Sequence, residues 1–67
     1  MNEEELNMQI RRFLKKVGIQ SQREIEQAVR EAVDAGKLQP GQACSARMRL
    51  QIEELGLDTS IEGEIKL

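Results

Sequence analysis

The feature that most constrains the fold is a change in the spacing of apolar residues along the chain. In the last third, every second position of one run is apolar: Cys44, Ala46, Met48, Leu50 and Ile52. Such alternation is typical of a β-strand with one apolar face, because successive side chains of a strand point to opposite sides. Residues 57 to 62 alternate in the same way. The pattern therefore predicts two strands.

Residues 53 to 56, Glu-Glu-Leu-Gly, connect these runs and predict an antiparallel hairpin that pairs Ile52 with Leu57. The register gives one apolar and one polar face, which a slip of one residue would mix. Its apolar face pairs Leu50 with Thr59, Met48 with Ile61 and Ala46 with Gly63. Its polar face pairs Arg47 with Glu62 and Gln51 with Asp58, and Arg49 is diagonal to Glu62.

The first part of the chain has the spacing of a helix. Asn2 is a typical N-cap, and an apolar stripe follows it: Leu6, Ile10, Phe13, Leu14 and Val17. Gly18 favours the left-handed conformation that ends many helices. We expect a first helix from about residue 3 to residue 17.

Ser21 and Glu24 have the spacing of a capping box, which predicts the start of a second helix. Its apolar face consists of Ile25, Ala28, Val29, Ala32 and Val33, and Gly36 ends it. Two helices joined by so short a connection fold back on each other or cross steeply. Residues 39 to 42, Gln-Pro-Gly-Gln, predict a turn before the strands.

These elements predict one small α+β domain spanning residues 1–67. It consists of a two-helix hairpin followed by a two-stranded antiparallel β-hairpin packed on the helices. A lone two-stranded hairpin is not stable in water, so its apolar face is expected to cover the helices. The 67-residue chain has one aromatic residue, Phe13. Its core should be thin, and we expect marginal stability or self-association.

The composition argues against catalysis. The chain has no histidine and one cysteine, so it cannot assemble a zinc site, a Cys-His pair or a Ser-His pair by itself. The five glycines are separate and form no phosphate-binding loop. Glu3 to Glu5 and Glu53 with Glu54 are expected to be solvated charges, and Cys44 a small buried apolar residue. We predict a non-enzymatic protein with no catalytic residue, cofactor or metal.

Residues 17 to 38 pose the question of a DNA-binding helix-turn-helix. In that motif a small residue stands four positions before the turn glycine, and an apolar residue stands six positions after it. Counting from Gly18, these positions hold Leu14 and Glu24, which argues against a helix-turn-helix. The formal net charge of −2 also disfavours nucleic acid. The element order nevertheless resembles the second half of a winged helix, so a nucleic-acid-binding module is the alternative function.

The favoured function is a small protein–protein interaction protein, with a homodimer as one possible form. Met8 lies opposite the apolar stripe among basic residues, and Leu55 lies at the hairpin tip, although scattered exposed apolar residues are normal. The candidate partner-contact residues are Met8, Arg11, Arg12, Lys15 and Leu55. An acidic N-terminus and the lack of a run of about 20 apolar residues predict a cytoplasmic protein without a membrane span.

Two stretches, "NMQIRRFLKKVGIQSQREIEQAVREA" and "MRLQIEELGLDTSIEGEIKL", resemble a family of short uncharacterised bacterial proteins. The most distinctive pieces are Val17-Gly18 followed by Ser21 to Ile25, and Leu55 to Leu57 followed by Gly63 to Ile65. The resemblance covers nearly the whole chain and is weakest at residues 39 to 45. It implies a helical hairpin with a C-terminal β-hairpin, no assigned activity and no site residues.

Overall fold

The computed structural model describes residues 1–67 and has one long helix followed by a two-stranded antiparallel sheet. Helix α1 spans Glu3–Asp34, strand β1 spans Ala43–Ile52 and strand β2 spans Leu57–Lys66, with a short 3₁₀ turn at Glu53–Leu55. The chain divides into two compact units, Met1–Lys37 and Leu38–Leu67. The predicted α+β class is confirmed.

Both ends of α1 are capped by local sequence. The Asn2 side chain accepts hydrogen bonds from the backbone N–H groups of Glu4 (3.0 Å) and Glu5 (3.2 Å), as predicted for an N-cap. At the other end Gly36 has a φ of 70°, and the N–H of Lys37 donates to the carbonyl oxygen of Ala32. This is a Schellman cap, in which the left-handed conformation favours glycine.

The predicted two-helix hairpin is wrong, because α1 continues through Gly18 and Ser21 without a break. A glycine inside a helix costs only about 1 kcal/mol relative to alanine, and the surrounding lysine, glutamine and arginine residues are good helix formers. Val17, Ser21 and Ile25 are also four residues apart, so the apolar stripe continues across the predicted turn. A break would have forfeited helical hydrogen bonds without an evident compensating gain.

The β-hairpin has the predicted register. Ile52 pairs with Leu57 next to the turn, and the pairing continues to Ala43 with Lys66 at the open end. All the pairs expected from the sequence are present, with the apolar residues of both strands on one face. The short turn ends at Gly56, whose φ of 65° is the left-handed conformation that glycine adopts readily.

The predicted turn at residues 39 to 42 is also confirmed. The N–H of Gln42 donates to the carbonyl oxygen of Gln39 at 3.1 Å, and Gly41 has a φ of 82°. Proline followed by a glycine with positive φ is typical of a type II turn. The N–H of Leu67 then donates to the Gln42 carbonyl oxygen, which extends the strand pairing beyond β1.

The thin core expected from the sequence is not formed, since no residue of the chain is buried. The helix pair on which the sheet was expected to pack is absent, because there is only one helix. Cys44 is half-buried rather than fully buried as predicted. Although α1 has 32 residues, none of its segments is apolar enough to cross a bilayer.

Candidate functional site

One side of α1 carries an exposed apolar stripe. Its members are either adjacent or three to four residues apart, so they share one side of the helix. On the continuous helix the apolar stripe extends beyond Val17 and consists of nine apolar residues and one serine: Leu6, Ile10, Phe13, Leu14, Val17, Ser21, Ile25, Ala28, Val29 and Ala32. Phe13 and Leu14 are 53% and 52% exposed. The stripe is therefore an apolar surface that water reaches.

The charges of α1 are separated along its length. The basic segment, residues 11 to 23, contains five cations and no acidic residue: Arg11, Arg12, Lys15, Lys16 and Arg23. None of the five takes part in a salt bridge. The acidic segment, residues 24 to 34, has four carboxylates and one cation, Arg30, which lies 3.8 Å from Glu26. The helix thus has a positively charged segment followed by a negatively charged segment.

The candidate contact residues on α1 belong to three shallow surface depressions rather than one site. Met8 and Arg12 line the first together with Phe13. Arg12 and Lys15 line the second. Arg11 lines a third with acidic residues of the first helical turn.

Two lining residues of the second depression, Ile19 and Arg23, were not predicted from the sequence. The expected turn after Gly18 placed them outside the first helix. A continuous helical wheel over residues 3 to 34 would have put them beside Arg12. Leu55, the remaining candidate, is 72% exposed in the turn between the strands.

The sheet has its own apolar face. Met48 and Ile61, paired at its middle, are 42% and 62% exposed. Residues nearer the two ends of this face are half-buried: Cys44, Ala46, Leu50, Ile52, Leu57 and Ile65. Each strand also has one edge without a neighbouring strand, because the sheet has only two strands. Such edges can accept another strand.

The opposite face of the sheet is crossed by two ion pairs. Arg47 donates to Glu62 at 3.2 Å, as the register predicts. Arg49 donates two hydrogen bonds to Asp58, at 3.0 Å and 2.8 Å, instead of reaching Glu62. These bonds lower the pKa of Asp58 and raise the pKa of Arg49. All four side chains are exposed, so each pair contributes little to stability.

Chemically reactive groupings are sparse. Nowhere in the structure do three acidic or thiol side chains converge in a way that could hold a metal ion. The surfaces that stand out are therefore the apolar stripe, the basic segment and the apolar face of the sheet.

Comparison with known proteins gives one match. The model of a family of unknown function, DUF6494, covers residues 1–67. The chain belongs to this family. The resemblance to an uncharacterised family is thereby confirmed, over the whole chain. Neither the curated proteins nor the solved structures include a match to the DUF6494 chain.

Proposed function

We propose that this DUF6494 protein is a small non-enzymatic interaction protein that binds other protein surfaces through its apolar faces. One observation carries the proposal: no residue is buried, while twelve large apolar side chains are exposed. Burying one such side chain contributes about 1.5–3 kcal/mol. A partner that covers a whole apolar face gains such contributions from several side chains at once, and their sum offsets the cost of association.

Two arrangements on the surface support the proposal. The stripe on α1 provides neighbouring anchors of the kind that helix-in-groove recognition uses, at i, i+3, i+4 and i+7. The sheet provides an apolar face around Met48 and Ile61. Singly scattered apolar residues would need no explanation, but these are grouped into continuous faces.

The proposal is tested by capture from a nuclease-treated lysate of the native cell, with an untagged copy of the chain added. One variant replaces Met48 and Ile61 by glutamate, and a second replaces Phe13 and Leu14 by glutamate. The matched control replaces Ser45 and Ser60, on the polar face of the sheet, by glutamate. The wild type should retain one or more proteins, which can include the untagged copy. We expect at least one apolar-face variant to lose these proteins and the control to keep them.

Two results would contradict the proposal. In one, the wild type retains neither another protein nor the untagged copy. In the other, both apolar-face variants retain the same proteins as the wild type.

Nucleic-acid binding is the second candidate, and the five unpaired cations of the basic segment favour it. The winged-helix order that suggested it from the sequence has lost its basis, because the chain has one helix. A row of cations along a helix still suits a phosphate backbone. Against it, the acidic segment follows directly and would repel phosphates.

Fluorescence anisotropy with labelled single-stranded and duplex probes tests this second candidate. We expect binding that weakens steeply with salt, and a slope of log K against log salt that falls by about 1.4 to 1.8 when Lys15 and Lys16 become glutamine. Replacing Lys37 and Lys66 by glutamine is the charge-matched control and should leave the slope unchanged. Absence of binding at low ionic strength excludes the candidate.

We further propose that the protein works in the bacterial cytoplasm. Its single cysteine, Cys44, is free, which suits a reducing compartment. Fractionation of cells that carry a tagged chain tests this location. Recovery in the membrane or periplasmic fraction would contradict it.

A further inference from the structure

The apolar stripe of α1 is symmetric about Ser21. Each member between residues 10 and 32 has a counterpart the same number of residues away on the other side. The pairs are Ile10 with Ala32, Phe13 with Val29, Leu14 with Ala28, and Val17 with Ile25. Two antiparallel helices placed with their Ser21 residues side by side would therefore oppose one stripe to the other along its whole length.

We propose that α1 pairs with α1 of a second copy of this chain, antiparallel, with Ser21 on the twofold axis. The inference rests on the proposed function and names the partner of one of its surfaces. A twofold axis closes the assembly at two chains, because the same patch is used on both. Ser21 is small, so the helices can approach closely at the axis.

The sizes of the side chains fit this orientation. The half of the stripe before Ser21 is bulky, and the half after it is rich in alanine. Antiparallel pairing sets Leu14 against Ala28 and Ile10 against Ala32, so that large residues fill the space beside small ones. Parallel pairing in register would set Phe13 against Phe13 and Ala28 against Ala28, which crowds one end and leaves the other under-packed.

The charges of α1 favour the same orientation. Antiparallel pairing brings residues 11 to 18 of one copy, with four of the five cations, alongside residues 24 to 31 of the other, with three of the four carboxylates. Arg11 then lies at the level of Glu31, and Lys16 at the level of Glu26. Parallel pairing would run five cations beside five cations. Complementary charges of this kind select orientation more than they raise affinity.

Cysteine cross-linking tests the orientation, in a chain whose native Cys44 is replaced by serine. Ser21→Cys should form a disulfide between copies. Leu14→Cys alone should not, because its two copies would be separated by the length of 14 helical residues, about 21 Å. Adding Ala28→Cys to Leu14→Cys should restore the cross-link. Efficient cross-linking of Leu14→Cys alone would show a parallel pair and overturn the proposal.

Sedimentation equilibrium tests the pairing itself. Ser21→Glu would place two like charges together at the axis, and we expect the dimer to weaken at least tenfold. Ser60→Glu makes the same change on the polar face of the sheet and should leave the dimer unaffected. Far-UV circular dichroism at each concentration reports whether Ser21→Glu retains its helix. If it does not, cross-linking of the cysteine variants still tests the pairing.

The outcomes separate this inference from the proposed function. A wild type that stays monomeric at about 1 mM overturns the helix pair. If that monomer still retains other proteins through its apolar faces, the proposed function stands. If Ser21→Glu and Ser60→Glu form equally tight dimers, the contact lies elsewhere, and the inference is also overturned.

Discussion

The guanidinium of Arg49 and the carboxylate of Asp58 form a two-bond contact across the polar face of the sheet. From the sequence, Arg49 was expected to be diagonal to Glu62, but Asp58 is its partner. Ser60 lies directly opposite Arg49, so Asp58 and Glu62 are both diagonal neighbours. Strand twist makes the two diagonals unequal, and alternation in a sequence does not show which is shorter.

This contact predicts a pH dependence. Because the folded-state pKa of Asp58 is lowered, its contribution to stability is present above the unfolded value of about 3.9 and is lost as pH falls through the folded pKa. The contribution is small, since both side chains are exposed. An NMR titration of the Asp58 carboxyl carbon should give a midpoint below that of an ordinary aspartate.

Two variants check the cause of the shift. Arg49→Gln should return the Asp58 midpoint to its ordinary value. Arg47→Gln removes a neighbouring charge of the same type that is bonded to Glu62, and it should leave most of the shift in place. If both variants change the midpoint equally, the general positive field of the face is responsible, and the assigned contact is wrong.

At the scale of elements, the register of the hairpin could be predicted, and the helix only at its ends. The strand register follows from two constraints that agree, the period of two and the length of the turn. Asn2 and Gly36 were correctly identified as the helix ends. Gly18 and Ser21 could not be resolved by sequence alone, because a glycine and a serine can end a helix but are also tolerated inside one at a cost of about 1 kcal/mol or less.

A pair of glycine substitutions distinguishes one helix from two. Gly18 lies inside α1, and an added methyl group would meet nothing within 4 Å. Gly18→Ala should therefore raise helix content and stabilise the fold by about 1 kcal/mol. Gly36 has a positive φ, so Gly36→Ala should destabilise by about 1–2 kcal/mol. Thermal unfolding followed by circular dichroism measures both changes. Loss of helix in Gly18→Ala would instead indicate a left-handed glycine that ends a helix there.

For the whole molecule, the sequence showed which faces are apolar but not what covers them. An amphipathic pattern indicates that a face is covered, but it does not show which surface covers it. We expected that surface to belong to the same chain. With α1 unbroken, the stripe has no second helix of the same chain to pack against. No residue is buried, and Phe13, the one aromatic residue, is 53% exposed. On the proposed function, association with another protein surface supplies the free energy that burial would otherwise provide.

Stability should therefore depend on protein concentration. Association that favours the folded chain raises the unfolding temperature by mass action, so the midpoint should rise by several degrees between about 2 µM and about 200 µM. Phe13→Gln should reduce that rise, because Phe13 belongs to the apolar stripe. Ile19→Gln is the matched control, as Ile19 is an exposed apolar residue of the same helix that lies outside the stripe. A wild-type midpoint independent of concentration would show that one copy is stable without a covering partner, and the exposed stripe would then contribute nothing to folding.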